Sequence, residues 1–431
     1  MNQNFKFISN DFKSSIIVFL VALPLCLGIA LASGMPLFSG IIAGAIGGIV
    51  VGYLSNSQLS VTGPAAGLTS IVLASRMELG TNEAFFFALF VAGILQIILS
   101  FVKAGMIAYY IPSNVIKGML AAIGIIIIMK QIPHALGWDK DSEGDFSFMQ
   151  VDGENTFTEL WNSIWHIDIG VIIISILGIL ILVYWNRVPI QWLKKIPAGL
   201  MAVLVGILLN FVFQYVFPQF VVGKEHLVQL PLVSNSDEFF KLFSFPDFSQ
   251  WHNINIYIVA LTMALVASLE TLLSIEAIDK LDVEKRTTDT TRELLAQGIG
   301  NSFSGLIGGL PITSVIVRSS ANMDSGAKTK LSTIFHGFLL ITCFLAIPNI
   351  LNLIPYGSLA AILIVTGYKL SHPKIYKEMY RQGKWQFYPF LITLVSIYLI
   401  DLLYGVVIGL LISIMFILIR NIINPMTYIY K

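Results

Sequence analysis

Two short stretches interrupt apolar sequence in the same way. The first covers residues 58–69 and carries Leu59, Ser60, Val61, Thr62, Gly63 and Pro64; the second covers residues 308–320 and carries Gly308, Gly309, Leu310, Pro311, Thr313, Ser314 and Arg318. The alternation of Leu59, Ser60, Val61 and Thr62 suits a short extended run. A proline directly after it is tolerated in the first turn of a helix, where its missing N–H is not needed. Gly63-Pro64 therefore reads as a helix opening, and Leu310-Pro311 ahead of Ile312 as a second. A helix that opens inside a membrane leaves free backbone N–H groups and the positive end of its dipole there. Two such ends aimed at one point make an anion site without requiring a full buried charge. The small residues Ala65, Ala66, Gly67, Thr313 and Ser314 leave room for an anion to reach that backbone. Arg318 falls about two turns into the second helix on this reading. An arginine at membrane depth is costly and marks a site or a cavity, unless it snorkels to the surface. The plain alternative for the pair is two kinked, packed helices.

A carboxylate supplies the second chemistry. Glu270 lies deep in an apolar run, and Ser274 follows four residues later on the same helix face. A carboxyl group held out of water exchanges its proton closer to neutral pH, which makes a proton-coupling device. The same pair can instead bind Na⁺ with backbone carbonyls, or form a protonated core contact. Glu276 and Asp279 sit near Lys280 and read as solvated or salt-bridged. No histidine pair has metal-ligand spacing, so no metal or other cofactor is expected, and His336 reads as a packing histidine. Gly40, Gly44, Gly47, Gly48 and Gly52 form a small-residue face for close helix packing.

The elements that must position these residues are membrane spans. The chain has 431 residues, of which 56% are hydrophobic and 12% charged. A soluble domain carries about 25% charge. This composition excludes a soluble enzyme and a disordered scaffold, and a net charge of +1 gives no excess for nucleic acid. Cys26 and Cys343 both lie in apolar runs, which argues against a disulfide framework. Runs of about 20 apolar residues fall at 14–33, 36–54, 60–76, 84–103, 111–130, 168–186, 197–216, 254–276, 292–310, 311–325, 331–348, 355–371, 386–401 and 402–420. The two interrupted stretches are third and tenth among these, so each is third in a set of seven. Matched interruptions in two halves are the pointer to an inverted-repeat transporter with its site between them.

Lys and Arg gather on one side of these spans, among them Lys13, Lys285, Arg286, Lys328, Lys330 and Lys374. That bias predicts a multi-pass protein of the cell (inner) membrane with both termini in the cytoplasm. Lys117 joins Arg318 at membrane depth. Two long loops face outward: 137–166, acidic through Asp139, Asp141, Glu143, Asp145, Asp152, Glu154 and Glu159, and 217–253, where Phe239, Phe240, Phe243, Phe245 and Trp251 can pack over the outer face. Asp401 suits a cap at a tight turn. No signal peptide and no P-loop pattern is evident, and the chain ends about ten residues after the last apolar run. An ATP-driven pump is therefore not expected, nor a cytoplasmic domain.

These residues carry a resemblance to the sulfate permease (SulP) family of inorganic anion transporters. It extends from Asp11 to about Arg420. Residues 21–34 resemble the family's first span, residues 60–64 its third, and residues 267–274 its eighth. The stretch with Gly300, Asn301, Gly308, Gly309, Pro311, Arg318, Ala321, Asn322, Ser325, Gly326 and Ala327 is the most specific. The resemblance implies an all-α polytopic fold of about 14 spans in a seven-plus-seven inverted repeat, with half-helices in segments three and ten. It implies a core domain (11–103 and 254–348) that moves elevator-fashion against a gate domain (111–216 and 355–420), in a homodimer. The implied anion site is lined by Leu25, Ile29, Ala65, Ala66, Ser314, Val315 and Ile316, with Glu270, Ser274 and Arg318 beside it. Many members end in a STAS domain, which is not expected here. Animal members often carry Gln near the position of Leu25. Sodium-bicarbonate members carry Asp in place of Glu270 and Thr in place of Ile316, and both differences favour protons. The expectation is a secondary active transporter of sulfate or bicarbonate, proton-coupled through Glu270, and no enzyme. Sodium-coupled bicarbonate uptake and an uncoupled anion channel or exchanger are the alternatives.

Overall fold

The computed structural model describes residues 7–105, 112–138, 155–187, 196, 198–229, 242–400 and 402–423. The acidic positions within 139–154, Phe239, Phe240 and Asp401 lie outside the described residues.

The chain is a mostly helical, polytopic membrane protein, and every apolar segment of the sequence carries a helix. The first half contains α1 (Ile8–Ala32), α2 (Leu37–Ile46), α3 (Gly52–Leu54), α4 (Thr69–Leu79), α5 (Asn82–Phe101), α6 (Ser113–Leu136), α7 (Thr156–Trp165), α8 (Ile169–Tyr184) and α9 (Ala198–Val216). The second half contains α10 (Ile254–Leu281), α11 (Thr290–Leu306), α12 (Ile316–Asp324), α13 (Leu331–Ala346), α14 (Pro348–Leu351), α15 (Tyr356–Leu370), α16 (Pro373–Arg381), α17 (Lys384–Leu399) and α18 (Leu402–Ile423). Among the described residues, six helical stretches are long and apolar enough to cross a bilayer unaided: Ile8–Ala30, Leu37–Leu54, Asn82–Phe101, Ser113–Leu136, Ala198–Val216 and Ile254–Leu281.

Glycines let the elements around the two breaks approach closely. α2 continues through a π-helical turn, Gly47–Val51, into α3. A Cβ on Gly47 would collide with the Thr62 carbonyl, and one on Gly48 would lie 2.6 Å from Gly337 Cα of α13. α5 packs on α11 in the same manner, with Gly93 against Gly298 and Ser302. The backbones touch because side chains are absent, as membrane helices without a hydrophobic drive toward each other require.

Two helices depart from the sequence reading. α7 lies inside the segment expected to be an outer loop. Asn155 caps it with a full capping box, and it joins α8 at a 116° bend. Glu159 was expected as a solvated loop acid; it is buried and pairs with Lys130 of α6 at 3.3 Å. One face of α7 buries Thr156, Glu159 and Ser163, while Trp161, Ile164 and Trp165 are exposed. α16 follows His372, whose ring accepts from the Lys374 N–H at 3.1 Å. It is strongly polar and buries only Met379. Lys117, expected at membrane depth, forms an exposed ion pair with Glu378 of α16 at 2.6 Å.

Candidate anion site

The two interrupted stretches meet. Thr62–Pro64 (β1) and Ile312–Ser314 (β2) pair antiparallel, with Thr62 opposite Ser314, Gly63 opposite Thr313 and Pro64 opposite Ile312. The pairing satisfies backbone groups that no helix serves at this depth. It also moves both helix starts. Pro64 belongs to β1, and α4 begins only after a 3₁₀ turn, Ala66–Leu68. Pro311 precedes β2, and α12 begins at Ile316. Each proline therefore sits with a strand and not in the first turn of a helix. Proline suits that place because a two-stranded ribbon has free edges where its missing N–H costs nothing.

Side chains from remote elements clamp this ribbon. Ser60 and Ser314 share a hydroxyl contact of 2.7 Å, and the Ser314 N–H donates to Thr271 of α10 at 3.3 Å. Val61 N–H donates to Ser319 Oγ at 2.9 Å, and Val315 N–H returns to the Val61 carbonyl at 3.0 Å. Asn322 Nδ2 holds the Leu59 carbonyl at 3.1 Å, and Thr333 Oγ1 the Ser60 carbonyl at 2.9 Å.

Beyond the ribbon, α4 and α12 both start without a side-chain cap. Their first N–H groups and dipole ends are thus not consumed by Ser, Thr, Asp or Asn oxygens, which is the usual arrangement. Arg318 lies in the first turn of α12, not two turns in, because the helix starts at Ile316. Its side chain is 0% exposed, so it does not snorkel. The guanidinium stacks behind Gly63, where a Cβ would fall on Nη1, and it lies beside the Cys26 thiol. Among the described residues, Nε, Nη1 and Nη2 of Arg318 have no hydrogen-bond partner. His336 of α13 is also buried, close to Arg318, and neither ring nitrogen has a hydrogen-bond partner among the described residues. A buried charge normally comes paired, so a guanidinium without a partner in the uncapped first turn of α12, against Gly63 of the other break, makes this region positive.

The other expected residues divide into two groups. Leu25 and Ile29 are buried on one face of α1, and Ala65, Thr313, Ser314, Ile316 and Ser274 are buried as well. Val315, Gly67 and Glu270 are partly exposed. Glu270, expected to be buried by its apolar run, is thus only partly enclosed. Its carboxylate packs against Gly67 in the 3₁₀ turn ahead of α4, where a Cβ would lie 3.1 Å from Oε1. The hydroxyl of Ser314 meets Ser60 and its N–H donates to Thr271, and both contacts help to fix the ribbon. Ala66 contributes backbone to the 3₁₀ turn. Glu276 pairs with Lys280 at 3.2 Å as expected. Asp279 instead accepts from the hydroxyl of Thr288 at 2.8 Å. Among the described residues, no group of three or more His, Cys, Asp or Glu could hold a metal ion.

The span expected at 292–310 is α11, but no role was expected of its polar residues Glu293 and Gln297. It presents Glu293, Gln297 and Asn301 at intervals of four. Asn301 accepts from Ile312 N–H at 2.7 Å and donates to the Ile312 carbonyl at 3.0 Å, so one amide grips both sides of a β2 residue. Gln297 Nε2 donates to Thr62 Oγ1 of β1 at 3.0 Å. A four-residue polar interval in a predicted span was the available signal.

Sequence comparison decides the family: the sulfate permease family matches residues 8–393. The chain belongs to it. Members of this family are transporters, not enzymes. The chain is 28% identical over 415 residues to a putative sulfate transporter, YvdB, of Bacillus subtilis, spanning 96% of this chain and 74% of that one. It is 26% identical over 376 residues to the bicarbonate transporter BicA of a Picosynechococcus species, spanning 84% of this chain and 62% of that one. The solved transmembrane domain of a cyanobacterial BicA matches with a TM-score of 0.62 at 21% identity, over 94% of this chain and 97% of that one. Murine Solute Carrier 26 family member A9, in an inward-facing state, matches with 0.64 at 15% identity, over 96% and 68%. These two likenesses establish the fold.

Proposed function

We propose that this sulfate permease family member is a secondary active transporter of a small inorganic anion, sulfate or bicarbonate, coupled to protons through Glu270. The observation that carries the reading is Arg318, fully buried and without a hydrogen-bond partner, in the uncapped first turn of α12 and against Gly63 of the other break. The relatives named as sulfate and bicarbonate transporters support the substrate class. Glu270 adjoins Gly67 in the turn that leads into α4, so proton and anion would meet in one space.

In this reading α1–α5 and α10–α13 form a core that carries the site, and α6–α9 and α15–α18 form a gate. The core would slide elevator-fashion against the gate, in a homodimer in the inner membrane, with both termini cytoplasmic. The packing of α5 on α11, and of α15 on α6, supports the division. Reconstitution tests the reading. Proteoliposomes should accumulate [³⁵S]sulfate or [¹⁴C]bicarbonate when the outside is acidified, with no requirement for sodium. Accumulation that follows an imposed sodium gradient at equal pH would move the coupling to sodium. Flux that only equilibrates would make the protein a channel or exchanger.

A further inference from the structure

We propose that Glu293 is a positioning residue of the anion site, acting through Gln297 on Thr62 to hold β1 in place. The proposal rests on the reading that the site lies where the helices after the ribbon's two strands begin. Glu293 is 0% exposed, in the first turn of α11. One of its oxygens accepts from the Ser55 hydroxyl and the other from Gln297 Nε2 at 3.0 Å. Both partners are neutral. The nearby cations are occupied elsewhere: Lys330 Nζ donates to the Tyr53 carbonyl at 2.7 Å and the Ser55 carbonyl at 3.1 Å, and Arg292 Nε to the Leu54 carbonyl at 2.9 Å. A buried carboxyl group held by two neutral donors is expensive to keep, so its hydrogen bonds must serve something.

What they serve is the Gln297 amide. The same Nε2 that donates to Glu293 donates to Thr62 Oγ1 at 3.0 Å. Both of its hydrogens are thereby assigned, and the amide is prevented from turning its oxygen toward β1. That oxygen is left buried without a partner, which means the orientation is imposed by the two acceptors and not by Gln297's own preference. One turn further along α11, Asn301 grips β2. Glu293, Gln297 and Asn301 thus set the position of each strand from a single helix face. Thr62 lies beside Gly63, against which the Arg318 guanidinium rests. A slack β1 would displace both the arginine and the start of α4.

The test uses the full chain in nanodiscs and proteoliposomes, with the variants E293A, E293Q, T62V and E293A/T62V. Hydrogen–deuterium exchange reads residues 58–68 directly. Sulfate and bicarbonate uptake reads the consequence. E293A should raise exchange in 58–68 about tenfold while α5 and α13 keep theirs. KM should rise about fivefold to tenfold with kcat within about twofold, because a misplaced site weakens binding and not the transit step. E293Q retains an acceptor for Gln297 and should recover most of both. T62V cuts the same chain at its other end, so the double variant should be no worse than E293A alone. Wild-type exchange in E293A, or additive effects in the double variant, overturns the proposal. If E293A does not fold, T62V must by itself raise exchange in 58–68, and failure to do so is equally decisive. If the wild-type protein takes up neither anion, the transport reading fails while the exchange comparison still judges Glu293.

Discussion

At the scale of single residues, Arg318 and Glu270 separate stability from function. Arg318 is buried without a partner, so the folded protein bears its desolvation cost. Arg318→Met should raise the thermal midpoint or leave it unchanged, while weakening anion affinity about tenfold (~1.4 kcal/mol). Thermal unfolding and equilibrium binding on the same sample check both signs, and a lower midpoint with intact binding would make Arg318 a structural residue. Gly63→Ala should push the Arg318 guanidinium, the far end of a long side chain, off its place, at a cost of up to about 1–3 kcal/mol in thermal unfolding. Glu270→Gln mimics the protonated acid. It should keep exchange of labelled anion across the membrane and lose accumulation driven by a pH gradient; continued concentration against a gradient would remove Glu270 as the proton carrier. Arg318 and Glu270 were legible in sequence because a charge in an apolar run has few uses. Glu293 was not, since Asp289, Thr290 and Arg292 ahead of it look like a solvated helix start, and only the fold encloses it.

At the scale of elements, Gly and Pro marked where the two breaks lie, but not which side of each break is helical. A Gly-Pro step is compatible with a strand edge or a first helical turn, and the choice is made by a partner about 250 residues away. α7 was hidden for a related reason: its polar face, with Glu159, is buried against Lys130, inverting the expectation for an acidic loop. The turn after α10 offers a pH test outside the membrane. Burial works to raise the Asp282 carboxyl, but the Arg286 guanidinium and the Glu284 and Arg286 N–H groups outweigh it and hold it below the ordinary range. A depressed native value means the turn's stabilisation is complete above the unfolded value, about 4, and is lost as pH falls through the native one. Exchange in residues 282–288 should therefore rise below about pH 4 in the wild type. In Arg286→Ala it should be raised already at neutral pH. An acid response identical in both proteins would show that Asp282 is not the group concerned.

At the scale of the whole molecule, the proposed core and gate are joined by an ion pair. Asp324, at the end of α12, meets Lys369, near the end of α15, at 3.1 Å. If the core slides, this pair must open in every cycle. Both partners are substantially exposed, so its worth is small, and removing it should shift the balance of states by no more than about fivefold. Asp324→Asn and Lys369→Gln should change uptake rate in the same direction. The double variant should add nothing, and the salt dependence of the rate should weaken in all three. Fully additive effects would mean that the two residues do not act as a pair.

The ribbon has a consequence for how the protein is made. Its two strands come from opposite halves of the chain, with the Ser60–Ser314 contact spanning 254 positions. At about 5–20 residues per second, a ribosome takes roughly 13–50 seconds to deliver the second strand after the first. Through that interval Thr62, Gly63 and Pro64 have no strand to pair with, in surroundings where bare peptide groups are penalised. The early spans must therefore wait beside the insertion machinery, or keep β1 at the wet interface, until α11 and β2 emerge. Nascent chains arrested before residue 312 should leave a cysteine placed at position 62 open to a water-soluble maleimide, and chains arrested well beyond α12 should protect it. Protection that is already complete in the shorter chains would mean that β1 acquires its surroundings without its partner strand.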